Sequence, residues 1–77
     1  MTSEEAQCIE QILDGDSTLK VQEKAIKRLG EILEETFILD LLPSKPLMRA
    51  LEDIAVSKTV APKLKQKAKA LLKKYRI

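Results

Sequence analysis

The sequence predicts an all-α fold. It reads as a compact bundle of four long helices and one short helix, built from right-handed, HEAT-like helical hairpins. Three observations predict this. Good helix formers dominate, twelve Leu and seven Ala among them, against one Phe, one Tyr and no Trp, so the aromatic residues that favour strands are nearly absent. Apolar residues recur at three- and four-residue steps along almost the whole chain, the signature of amphipathic helices. Short polar or proline-containing stretches interrupt these runs and leave connections of a few residues, which favour antiparallel neighbours. With 77 residues, the chain is one domain, residues 1–77, with a modest core.

The elements follow in order. The first helix spans Ser3 to Leu13. Thr2 with Glu5 fits a capping box, in which the hydroxyl takes an orphan amide and the carboxylate reaches back. Ala6, Ile9, Ile12 and Leu13 form its expected apolar stripe. Asp14-Gly15-Asp16-Ser17 breaks the helix, with Gly15 suited to a left-handed backbone and Asp16 or Ser17 to the next cap. The second helix runs from Thr18 to Glu35, with Val21, Ala25, Leu29, Ile32 and Leu33 inward. Gly30 inside it marks either close helix packing or a mild defect. Phe37 to Leu42 reads as a short third helix or turn closed by Pro43. Ser44-Lys45-Pro46 opens a helix to about Ala55, with Leu47, Met48, Leu51 and Ile54 inward; proline is tolerated in a first turn. Pro62 begins the last helix, which ends near Arg76 and turns Val60, Leu64, Ala68, Leu71 and Tyr75 inward.

Composition excludes much chemistry. There is no histidine, hence no imidazole acid–base catalysis and no His metal ligand. One cysteine, Cys8, makes neither an internal disulfide nor a Cys-based zinc site, and it suits a reducing compartment. Two isolated glycines, Gly15 and Gly30, build no phosphate-cradling loop. The Phe37–Leu42 run is too short to span a bilayer, and the acidic N-terminus carries no secretory pattern. Glutamates 4, 5 and 10, and 31, 34 and 35, read as solvated faces. No spacing suits nucleophilic or acid–base catalysis. The expectation is a protein without catalytic activity, cofactor or metal, monomeric and not secreted.

Charge is unevenly distributed. Residues 1–56 carry twelve acids and six bases, a net of −6, while residues 57–77 carry eight bases and no acid, a net of +8, summing to +2. The bases Lys63, Lys65, Lys67, Lys69, Lys73 and Lys74 lie on the last helix. They suit a solvated face, an acidic protein segment, or a nucleic acid or anionic surface. With one Arg and one aromatic in this region, base reading and strand stacking are the less favoured partner modes.

Two runs resemble a known family. Leu51-Glu52-Asp53-Ile54-Ala55-Val56-Ser57-Lys58-Thr59-Val60 resembles the L-x-x-T-x-I-G-K-T-V run of the N-terminal (Leu-Trp) domain of transcription elongation factor S-II. Ala68-Lys69-Ala70-Leu71-Leu72-Lys73-Lys74-Tyr75-Arg76 resembles that family's closing A-K-x-L-V-K-K-W-K. Ser57 stands where the family has Gly, and Tyr75 where it has Trp. The short spacing between the two runs is nearer to the integrase-binding domains of the same superfamily. Helical trafficking domains of the VHS kind end similarly, which keeps a scaffold role open.

The resemblance implies a five-helix, non-catalytic module that docks disordered acidic and hydrophobic peptide segments of nuclear, transcription-related proteins. In the integrase-binding type, two interhelical loops at one end of the bundle meet the peptide. The matching positions here are Leu13 and Asp14 in the first loop, and Val56 and Val60 in the loop before the last helix. Lys58 joins them on electrostatic grounds, as an attractor of acids. A nuclear or otherwise cytoplasmic location is the corresponding expectation.

Overall fold

A computed structural model of the chain describes residues 2–75. Within them four helices form: α1 (Ser3–Leu13), α2 (Leu19–Ile38), α3 (Lys45–Val56) and α4 (Pro62–Tyr75), with no strand. The capping box at the start of α1 is present. Thr2 Oγ1 accepts from the Glu5 amide at 3.2 Å, and Glu5 Oε1 accepts from the Thr2 amide at 3.4 Å. The buried stripe of α1 is Glu5, Cys8, Ile9 and Ile12. Ala6 is exposed, and Leu13 is 44% exposed, so the expected stripe is rotated by one residue at its start and stops one residue earlier.

The first loop closes differently from expectation. Gly15 does not take a left-handed backbone. Asp14 instead makes an Asx turn, its carboxylate accepting from the Asp16 amide at 2.9 Å and from the Ser17 hydroxyl at 3.3 Å. Thr18 caps α2, its hydroxyl accepting from the Val21 amide at 3.3 Å. Gln22 then donates from Nε2 to the carbonyls of Ile12 and Asp14, both at 3.1 Å. Those carbonyls are orphans of the α1 terminus, so one side chain ties the two helices together.

α2 runs three residues past the expected Glu35, and of the expected short third helix or turn it is a turn, at residues 39–40, that forms. Phe37 and Ile38 complete the last turn of α2. The Asp40 amide donates to the Phe37 carbonyl at 3.1 Å and the Leu41 amide to the Thr36 carbonyl at 3.0 Å. Asp40 has φ of 57°. This is a Schellman termination with aspartate at the left-handed position usually held by glycine. The helix therefore stops with its apolar tail still outside, and residues 41–44 lead without helical structure into α3.

The helices form two antiparallel hairpins, α1 with α2 and α3 with α4, laid side by side so that α1 meets α3 and α2 meets α4. The diagonal pairs bring no Cα atoms of the described residues within 8 Å of one another. α2 and α4 run in the same direction: Lys63 pairs with Glu23 near their starts and Tyr75 meets Phe37 near their ends. The core lies between the hairpins, centred on Ile12, Ile26, Leu29, Leu33, Leu47, Leu51, Ile54 and Leu64. Leu72 and Ile26 belong to it although neither was on an expected stripe, while Val21 is 39% exposed. The expected end of α4 near Arg76 lies outside the described residues.

Candidate functional site

The bundle has two ends, set about 30 Å apart by the twenty residues of α2. One end carries the α1–α2 and α3–α4 loops. The Gln22 and Lys63–Glu23 contacts place both loops beside the start of α2, so the loop residues Leu13, Asp14, Val56, Lys58 and Val60 lie at one end, while the lysines of α4 extend along the bundle to the other. Their availability differs. Leu13 is 44% and Val56 76% exposed, and Asp14 and Lys58 are exposed. Val60 is only 5% exposed and belongs to the core. The cause is a turn in which the Ser57 hydroxyl accepts from the Thr59 amide at 3.3 Å, bringing Val60 inward before Ala61 accepts the first α4 bonds. Asp14 is engaged in its own loop.

The opposite end carries what sequence reasoning missed. Phe37, Ile38, Leu39, Leu41 and Leu42 are 60–79% exposed. Single exposed apolar residues are ordinary, but a contiguous group is unusual on a folded domain. Five of six consecutive residues here form such a group. The Schellman turn folds Leu41 and Leu42 back beside Phe37, opening a cleft of about 190 Å³. Leu33 and Tyr75 form its inner wall, and Leu41, Leu42 and Pro43 its outer one. Phe37 meets Tyr75 edge-on, with centroids 6.1 Å apart and planes at 67°, a favourable aromatic arrangement. Asp40 and Lys74 supply the polar lining. Lys74 Nζ sits 5.3 Å from the Tyr75 ring centroid, within cation–π range.

The cleft offers shape and one cation, not reactive groups. Among the described residues no cluster of His, Cys, Asp or Glu could hold a metal ion, and no helix is long and apolar enough to cross a membrane. Cys8 is buried, and burial with the nearby Glu4 pushes its thiol pKa up, which disfavours the reactive thiolate. Glu5 is buried inside α1, with Oε2 lacking a hydrogen-bond partner among the described residues. On α4, Lys63 pairs with Glu23 at 3.0 Å. Lys65, Lys67, Lys69, Lys73 and Lys74 make no ion pair among the described residues.

The run Phe37-Ile38-Leu39-Asp40-Leu41-Leu42 carried the only available signal for this cleft: an apolar density with no polar alternation to define a buried side. Comparison with protein-family models, with curated proteins and with solved structures gives no match to the chain.

Proposed function

We propose that the chain is a non-enzymatic docking module that binds a short, disordered protein segment carrying a large apolar anchor flanked by acids. One observation carries this reading: the apolar tip at residues 37–42, opened into a cleft beside Lys74. An apolar cavity of about 150 Å³ takes a benzene, so a cleft of this size suits one leucine or aromatic side chain. Lys73 and Lys74, in the last turn of α4, would meet the flanking acids. Few anchors against the ordering of a peptide make such binding weak and reversible.

The family resemblance supports the same class of partner and adds a nuclear, transcription-related setting. It places the docking on the loop end instead. There Leu13 and Val56 are the usable apolar contacts, with Asp14 and Lys58 as polar ones. We favour the tip because its exposed apolar residues are contiguous. A piece of a longer HEAT-like array is less supported. The hairpins lie side by side, but the exposed positions of α3 and α4, the pair that a following hairpin would cover, are mostly Lys, Arg, Glu, Asp and Gln, a poor apolar face for a third hairpin.

The test is a backbone-amide NMR titration with an acidic peptide bearing one aromatic residue. Shifts at residues 37–42 and 73–75, abolished by Leu41→Asp with Leu42→Asp at unchanged helix content, are expected. Shifts confined to Leu13–Asp16 and Val56–Val60 would move docking to the loop end. No shifts anywhere would refute the module.

A further inference from the structure

The tip at residues 37–42 carries both halves of a contact. Its cleft is an apolar hole with Asp40 and Lys74 in the polar lining. Ile38 and Leu39 are exposed and line no part of that cleft, so they stand outside it as an apolar knob. Asp40 and Lys74 make no ion pair with each other or with any other described residue. One end of the molecule thus offers a knob, a hole, an anion and a cation that do not meet within the chain.

The chain also contains a segment of the chemistry that the cleft suits. Glu34 and Glu35 precede Phe37, Ile38 and Leu39, and Asp40 separates these from Leu41 and Leu42. That is a large apolar anchor flanked by acids, presented by the tip itself.

We infer that free chains pair through their tips, a second copy covering the docking site until a partner segment displaces it. This rests on the reading of the tip as a docking surface and names the occupant it has in the absence of a partner. About a two-fold axis each contact is made twice. One side chain of the Ile38–Leu39 knob of each copy enters the cleft of the other, and Asp40 of each meets Lys74 of the other. The area fits a weak pair. A large apolar side chain has about 150 Å² of surface or more, so five of them exposed to about two thirds offer roughly 500 Å², toward the upper end of the largest patch on an ordinary monomer. Two copies together cover about 1,000 Å², the lower bound of a specific interface, and pairing is therefore reversible. The tip occupies one end only, so association closes at two copies and does not propagate into a filament.

The experiment is sedimentation equilibrium of the whole chain from about 5 to about 500 μM, which brackets a weak association. The average mass should rise from 8.7 kDa toward twice that value and no further. Ile38→Gln with Leu39→Gln, which leaves the core and the cleft lining in place, should weaken association about tenfold or more and still bind the acidic aromatic peptide. Asp40→Lys and Lys74→Asp should each weaken it too. An equimolar mixture of those two variants should associate again, because each reversed charge then faces an opposite one across the axis. Circular dichroism checks folding; if Asp40→Lys, at its left-handed position, loses helix, the knob variant and Lys74→Asp carry the test. Added peptide should return the unaltered chain to single copies. A single-chain mass throughout, masses beyond two copies, pairing undiminished by the knob variant, a folded mixture that fails to associate, or peptide bound without separating the copies would overturn the pairing. Pairing by a chain that binds no peptide would leave this inference standing and sink the docking of a separate segment, and a peptide-binding monomer would do the reverse.

Discussion

Gly30→Ala tests the packing of α2 against α4 directly. Gly30 sits inside α2, and a methyl placed on it would meet Leu71 Cδ2 at 3.4 Å and Cδ1 at 4.0 Å. These are ordinary van der Waals separations, so the helices do not approach as closely as a glycine would permit. The backbone there is not left-handed. Alanine in a helix interior is favoured over glycine by about 0.5–1 kcal/mol, mainly because it restricts the unfolded chain. The contact with Leu71 adds a few tenths through dispersion, at about 0.1–0.2 kcal/mol per atom pair. The expected gain is therefore about 1 kcal/mol, or roughly 4–8 °C in Tm for a domain of this size. Urea denaturation should show a higher midpoint at unchanged slope. A double-mutant cycle with Leu71→Ala divides the gain, since propensity survives that second change and the contact does not. Loss of stability on Gly30→Ala would mean that α2 and α4 lie closer than the structure shows, because overpacking costs about 1–3 kcal/mol.

Three further outcomes follow from the same structure. Asp40→Gly should raise stability by about 0.5–1 kcal/mol, since a left-handed non-glycine residue costs about 1–2 kcal/mol and glycine gives part of that back as unfolded-state entropy; a lower melting temperature would refute the Schellman assignment. Cys8 should react with iodoacetamide at neutral pH far more slowly in the native chain than in urea, because it is buried with a raised pKa; equal rates would show an open α1. The hydrogen bond from Lys63 and its charge lower the Glu23 pKa. That pair's contribution is present above the ordinary carboxylate pKa and is lost as pH falls through the folded value. Glu23→Gln should therefore flatten part of the acid limb of a pH–stability curve, and an unchanged limb would show that the pair is fully screened.

How far the sequence reveals this fold depends on whether a local rule had competition. α1, α3 and α4 begin where capping and proline rules place them, because Thr2, Pro46 and Pro62 act on their own neighbours. Side assignments at the margins are less legible. Glu5 is buried where Ala6 was expected, since a capping carboxylate must lie against the helix it caps. Val60 illustrates a limit of carrying a motif across: its place after Ser57-Lys58-Thr59 matches the family pattern, but the Ser57–Thr59 turn commits it to the core.

The tip was illegible for a more basic reason. Reading apolar residues as buried assumes that the chain covers its own apolar surface. Phe37, Ile38, Leu39, Leu41 and Leu42 break that assumption, because Asp40 ends α2 by local hydrogen bonding before any helix can fold over them. The failure of the burial rule at that point is what the docking proposal rests on, since local rules are broken most often at functional sites. Exposed apolar density can therefore be sought in a sequence before its structure is known, where an apolar run meets a local helix stop.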